Sequence, residues 1–409
     1  MRRNQLRNRY IAVLLSISIL FGMTACGRTV PTGQENPEQP PSSADTQEPF
    51  SCNTGDTQEP DVPGETFDPG QEMTPLDYNS YYQFMLQRAS EGNCIFSPES
   101  MNIAFDMYGY LLEPEDQKTI KDYLGNRPYM DYSSTDVFKI TNRLWINSNK
   151  EFHLPENSKL DCGIAYYIDM SDPKSTDEKN RYVSEQTNGF ITSTPTEFTP
   201  LVVFDAMNIL YFKDTWKDGD KRLDGDTTSF TNEDGTVSAV YMMHDGADSY
   251  LQSANAHGYT MQYENGFRFM VILPDEGTAL SDVDVNAFIH GDVDTVINEC
   301  YLAMPEFETE STYELGLQDL GLPVTQLAKS VYDHDTDPPK ITQVAKIRVD
   351  HEGTEAAAVT EIMVEDNAMI AVEEPYYMTC DRPFIYVIQD TQNDDAAFIG
   401  VVRELKTIN

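Results

Sequence analysis

Asp333-His334-Asp335-Thr336-Asp337 comes nearest to a ligand set, with oxygen donors at alternate positions like the start of a calcium loop. Pro338-Pro339 follows where such a loop needs a glycine and later a bidentate glutamate, so the stretch reads as a solvated acidic turn. Covalent chemistry finds no better candidate. The chain has no GxSxG elbow, no HExxH pair, no GxxxxGK(S/T) phosphate loop and no GxGxxG turn. Its six histidines show no spacing that points to a Ser/His/Asp arrangement. Six cysteines, Cys26, Cys52, Cys94, Cys162, Cys300 and Cys380, form no CxxC pair and match no zinc spacing. Cys94, Cys162, Cys300 and Cys380 read as small buried hydrophobes, with a disulfide among them left open. The residues make no case for an enzyme, a metal or a cofactor.

The reactive feature of Cys26 is its place behind a targeting segment. Arg2, Arg3, Arg7 and Arg9 precede the apolar run Tyr10 to Phe21, which is too short for a comfortable membrane span of about 20 residues. Gly22-Met23-Thr24-Ala25-Cys26 then resembles a bacterial lipoprotein processing site, which makes Cys26 the lipidated residue of an exported, membrane-anchored protein. An ordinary secretory cut near Ala25 is the alternative. The domain is expected outside the cytoplasm, at a cell surface or facing a periplasm. Residues 1–26 are thus assigned to the signal and 27–75 to a Pro/Glu-rich tether with too few large apolar residues to fold. Residues 76–409 form the folded body.

The formal net charge of −40, from 28 Lys+Arg against 68 Asp+Glu, argues against nucleic acid, whose binding needs a basic footprint. It implies a soluble, self-repelling surface. A monomer is expected.

One segment is patterned for a physical event. From Thr354 to Val364 the alternate residues Thr354, Ala356, Ala358, Thr360, Ile362 and Val364 are uncharged and small or β-branched. Their neighbours Glu355, Ala357, Val359, Glu361, Met363 and Glu365 carry every charge. This is the period-two pattern of a strand with one buried face. Gly353 supplies a pivot ahead of it, and no proline blocks a ladder bond. A short Ala-rich helix over Glu355–Ala358 fits the propensities there but not the Val-Thr-Glu-Ile-Met-Val that follows.

The elements that must position this segment follow in a definite order. Ser97-Pro98 marks a helix start, and Met101, Ala104, Phe105 and Tyr108 recur on one helical face. Thr141–Asn147 reads as a strand, and the helix through Tyr182–Gln186 stops at Asn188-Gly189. Asn208–Trp216, Tyr241–His244 and Phe269–Gly277 follow, the last a buried strand closed by a Pro-Asp-Glu-Gly turn. Paired strands over Cys380–Ile388 and Phe398–Val402 end the body.

In this order and spacing, with Lys346–Thr360 as hinge, the chain resembles the serpin family. The resemblance implies an α+β fold of three β-sheets, about eight to nine helices and an exposed reactive-centre loop. It implies a suicide-substrate inhibitor of serine proteases: the loop is cleaved, and its hinge (Gly353, Thr354, Glu355, Ala356, Ala357, Ala358) inserts into the central sheet before the acyl-enzyme is hydrolysed. Counting about fourteen residues beyond Gly353 gives Asn367-Ala368 as the reactive bond, with Asp366 and Met369 as alternates. Glu361, Glu365 and Asp366 disfavour a trypsin-like target and favour an elastase-, chymotrypsin- or subtilisin-like one. The sheet-opening region implied is Ser97, Ser100, Asn208, Trp216 and Gln343. Two departures stand out: His351 replaces a usual glutamate, and Gln343 a common buried histidine. A non-inhibitory surface binding lipoprotein of the same fold, and an inhibitor of papain-like cysteine proteases, remain alternatives.

Overall fold

The computed structural model describes residues 76–354 and 374–408, apart from 126, 128, 130–134, 136, 156–157, 162, 323–325, 338–339 and 393–394. Five α-helices lie among them: α1 (Tyr78–Arg88), α2 (Pro98–Gly109), α3 (Pro114–Tyr123), α4 (Lys174–Gln186) and α5 (Val285–Ile289). That is fewer than the eight to nine expected. Short stretches such as Leu317–Leu320, boxed between Gly316 and Gly321, close as single 3-10 turns instead. So few residues do not offset the cost of nucleating an α-helix.

Helix α2 starts as the sequence predicts. Ser97 caps it, its Oγ accepting from the Ser100 N–H at 3.1 Å, and Pro98 occupies the first turn. Its burial exceeds the single apolar face expected, since every residue from Pro98 to Gly109 except Asp106 is buried. The helix is packed by strands and by α3 rather than lying on a surface. Helix α4 stops where predicted, with Asn188 at φ 52° and Gly189 at φ 81°.

The first strands are β1 (Cys94–Phe96), β2 (Phe138–Asn147), β3 (Ala165–Ile168), β4 (Phe204–Phe212), β5 (Asp214–Thr215) and β6 (Arg222–Leu223). Next come β7 (Thr228–Thr231), β8 (Val237–Val240), β9 (Met242–Gln252), β10 (Ala256–Gln262), β11 (Phe267–Pro274) and β12 (Asp294–Pro305). The last are β13 (Phe307–Gly316), β14 (Lys340–Asp350), β15 (Gly353–Thr354), β16 (Tyr376–Thr379), β17 (Phe384–Asp390) and β18 (Asp395–Val402). One continuous sheet runs β1-β18-β17-β11-β10-β9-β12-β16, with β6 beside β9. Strand β9 is long enough to pair with β10 at one end and with β12 along its length, and so fuses two layers. β18 is buried along its whole length, and β17 over all but its last residue, as expected of apolar runs covered on both faces.

The remaining large sheet is parted. β3-β2-β4 form one half, and β13-β14-β15-β5 the other. Among the described residues no register joins β4 to β14. Yet the strands are neighbours, because Val344 of β14 packs on the apolar cluster that holds Met207 and Ile209 of β4. Ser97, at the head of α2, lies behind β14.

Candidate functional site

The site is built where β14 reverses. The chain turns through His351 and Glu352, and Gly353–Thr354 then run back as β15, antiparallel to β14 on one side and to β5 on the other. Four bonds fix the turn. Glu352 N–H donates to Asp350 Oδ1 at 3.0 Å, and Lys221 N–H to the His351 carbonyl at 2.6 Å. Trp216 Nε1 donates to the Asp350 carbonyl at 3.0 Å, and His351 N–H to Glu306 Oε1 at 3.0 Å. Gly353 sits at φ 148°, and a Cβ there would lie 2.4 Å from the Asp214 carbonyl oxygen, so only glycine fits between the strands.

Thr354 is seated in an aromatic corner. It is 1% exposed, and its Oγ1 lies 2.6 Å from the hydroxyl of Tyr263. The Tyr263 ring stacks on Trp216 with centroids 4.5 Å apart and 12° between planes. Burial raises the Tyr263 hydroxyl above its usual range, so it stays a neutral hydrogen-bonding group. Asp214, 3% exposed, completes the corner, with its carboxylate accepting from Asn265 N–H and Nδ2.

A second cluster lies further down β14. Gln343 Oε1 accepts from Ser97 N–H, and its Nε2 donates to the Ser97 carbonyl, both at 2.8 Å. The side-chain amide thus imitates a strand pairing. Ser97 Oγ donates to the Ala397 carbonyl at 2.7 Å. One glutamine therefore ties β14 to the head of α2, and the serine ties both to β18.

Of the residues expected to open the sheet, Ser97, Ser100 and Gln343 meet here. Asn208 does not join them: its Nδ2 donates to Asn142 Oδ1 across the β2–β4 pairing at 2.7 Å, and its Oδ1 has no partner among the described residues. Trp216 belongs to the hinge corner instead. Within the hinge, Gly353 and Thr354 are placed, while Glu355, Ala356, Ala357 and Ala358 lie outside the described residues, as do Asp366, Asn367, Ala368, Met369, Cys26, Cys52 and Cys162. Cys94, Cys300 and Cys380 are buried free thiols, raised by burial above the ordinary range and so unreactive. In the acidic stretch at 333–337, Thr336 N–H bonds Gln326 Oε1 at 3.3 Å, and the described residues contain no cluster fit for a metal ion. Tyr263, Asp214, Lys221 and Glu306 were not singled out by sequence; each lies far along the chain from the hinge and in an unremarkable turn or strand end.

His351 makes the turn sensitive to protons. Its Nδ1 lies 2.5 Å from Glu306 Oε1, the oxygen that also accepts its backbone N–H. The hydrogen bond to Glu306 and the charges of Glu306, Asp350 and Glu352 raise the imidazole pKa above its ordinary value of about 6.5, with burial opposing. A raised folded-state pKa contributes stability that is complete below about 6.5 and lost as pH rises through the folded value. The pair is about a third exposed, so screening holds the gain below about 1 kcal/mol. We expect the melting temperature of the wild type to exceed that of His351→Gln in mildly acidic buffer, with the difference closing as pH rises above 6.5. A difference independent of pH would show that the ring acts by packing alone.

A family profile described as Serpin (serine protease inhibitor) matches residues 79–405. An uncharacterized serpin-like protein of Thermococcus kodakarensis is 26% identical, over 96% of this chain and 98% of that protein. Leukocyte elastase inhibitor A of Mus musculus is 24% identical, over 78% of this chain and 95% of its own. The crystal structure of tengpin, a thermophilic serpin in the native state, matches with a TM-score of 0.65 at 21% identity, over 80% of this chain and 94% of that one. Human thyroxine-binding globulin complexed with thyroxine matches with a TM-score of 0.66 at 20% identity, over 80% and 96%. At these identities the two structures speak to fold alone.

Proposed function

Because the chain belongs to the serpin family, we propose that it is a suicide-substrate inhibitor of an elastase-, chymotrypsin- or subtilisin-like serine protease, trapping it as a covalent acyl complex by inserting its cleaved loop. The observation that carries this reading is β15. Gly353–Thr354 already run between β14 and β5, antiparallel to both, and point along the parting between β14 and β4. A strand that continued in this direction would meet two facing edges that no described strand joins, and would convert a parted sheet into a paired one.

The chemistry belongs to the protease. Its serine Oγ adds to the carbonyl carbon of Asn367, the bond to the Ala368 nitrogen breaks, and the departing amine takes a proton. Water would normally release the acyl group. On this reading the freed hinge, with Thr354 already seated, pairs along β14 and β4 first and draws the protease from the hinge end. Distortion of its catalytic geometry then stops deacylation. The uncleaved state persists behind a barrier, and the Gln343–Ser97 bonds, which hold β14 against α2, contribute to that barrier. The same reading places the domain outside the cytoplasm, tethered through residues 27–75 to a lipid on Cys26.

The test is to incubate the protein with pancreatic elastase, chymotrypsin and subtilisin and run denaturing gels with mass spectrometry. A stable complex near the summed masses, with cleavage between Asp366 and Met369, is expected. Cleavage by every protease with no complex would mean bait without a trap, and would leave a non-inhibitory binding protein as the better reading.

A further inference from the structure

Tyr301 of β12 and Tyr377 of β16 are cross-strand partners, and their rings stack with centroids 5.5 Å apart and 22° between planes. They are 40% and 68% exposed. On its other side Tyr301 faces Gly246 of β9, where a Cβ would stand 3.5 Å from the ring. The tyrosine therefore lies along bare backbone. Two pairs further along, on the same face, Ala303 and Thr379 are partners, so small side chains bound the rings on that side too. The result is a flat aromatic shelf on the outermost strands of the nine-stranded sheet. Its rim is acidic: the Tyr301 hydroxyl donates to Glu299 Oε1 at 2.6 Å, and Glu299, Asp248 and Glu374 are all exposed.

Exposed tyrosines of this kind bind through their apolar faces and tend to dominate the interfaces they enter. The rim decides among occupants. A second copy carries the same acidic rim and the same net charge of −40, so face-to-face pairing is repelled. Anionic membranes and nucleic acids are repelled likewise. A protein with an apolar patch flanked by Lys or Arg fits. Position narrows the choice further. β16 begins eight residues after Ala368, a span of at most about 28 Å, and its approach is tied by Asn298 Nδ2 donating to the Glu374 carbonyl at 3.2 Å. A globular protease of about 230 residues is roughly 45 Å across, so one held at the bait bond reaches the shelf without letting go.

We propose that the Tyr301–Tyr377 shelf is a second docking surface for the protease engaged by the loop, recognising an apolar patch with basic flanks beside the protease's cleft. This rests on the inhibitor reading above. Its effect is on encounter: the shelf and its acidic rim speed association and orient the protease, and leave the insertion step unchanged.

The test takes whichever protease of the panel is trapped fastest and measures the second-order rate constant of inhibition at 50 and 200 mM NaCl, together with the stoichiometry and the melting temperature. For the double variant Tyr301→Ala/Tyr377→Ala we expect a fall of at least tenfold with unchanged stoichiometry. Tyr301→Phe/Tyr377→Phe should stay within threefold of the wild type, and Glu299→Lys, a surface change that spares the fold, should slow trapping and flatten its salt dependence. Normal rates in the alanine and lysine variants, with complex formation intact, overturn the shelf alone. No complex from the wild type sinks the inhibitor reading and the shelf with it. A wild-type dimer in sedimentation that the double alanine variant abolishes would assign the shelf to a second copy instead.

Discussion

Thr354→Glu is expected to turn the trap into a substrate: the loop is still cleaved, while the fraction of protease recovered as covalent complex falls to less than a tenth of the wild-type value. The reason is the company Thr354 keeps. Its side chain is 1% exposed, and the carboxylates of Asp214 and Asp350 both lie close enough to act on the neighbouring Tyr263 hydroxyl. A third carboxylate in that corner would lose its hydration and meet two like charges, a penalty of several kcal/mol. The first residue of the insertion then cannot seat, and the acyl-enzyme hydrolyses before the rest follows. Thr354→Ser keeps the hydroxyl opposite Tyr263 and should trap normally. Denaturing gels of both variants with the same protease read the outcome directly. Undiminished complex from Thr354→Glu would mean that insertion does not pass through this seat.

Gln343→Leu carries the second large effect. Ser97 N–H has the Gln343 carboxamide as its partner, in a place where Ser97 is 1% and Gln343 5% exposed. Leucine leaves that N–H buried and unpaired. The Ser97 carbonyl is less affected, because it also accepts from the Met101 N–H at 3.2 Å. Loss of two hydrogen bonds and one orphaned donor costs about 2–3 kcal/mol. In a body of this size that lowers the melting temperature by about 4 °C at a fixed scan rate. Gln343→His restores one bond and should recover roughly half of the loss. An unchanged melting temperature in the leucine variant would mean that β14 is held to α2 by packing rather than by this amide.

Legibility in the sequence followed the range of the interactions. Ser97-Pro98 caps α2, Asn188-Gly189 ends α4, and the apolar runs at Phe384 and Phe398 lie in buried paired strands, because each signal is local. Thr354 is buried on the face that the two-residue alternation assigns to the core, and Gly353 stands where a side chain has no room. What closes the site comes from afar. His351 draws attention as an odd residue, but its partner Glu306 lies 45 positions away at the end of β12, and nothing in the sequence joins them. Tyr263 sits in an ordinary turn and becomes the seat of Thr354 only through the stacking of Trp216. The parting between β4 and β14 is a missing pairing, and apolar periodicity records faces rather than edges. Glu99 misleads in the other direction: it occupies a first helical turn, where acids are common, yet it is 1% exposed with neither oxygen bonded among the described residues. Burial raises its pKa well above the carboxylate range, and it is carried as a neutral acid.

The parted sheet sets the terms on which this chain can be improved. Substitutions that stitched β4 directly to β14 would add ladder bonds and raise stability, and, on the proposed mechanism, would do so by closing the parting that a strand led by Thr354 would enter. On that mechanism, variation that stabilises other folds is harmful at these two edges, whereas the buried pair β17–β18 lies away from the parting. If the chain traps as proposed, its sequence is kept below its own stability optimum by that activity, and thermostabilising design should leave residues 204–212 and 340–350 untouched.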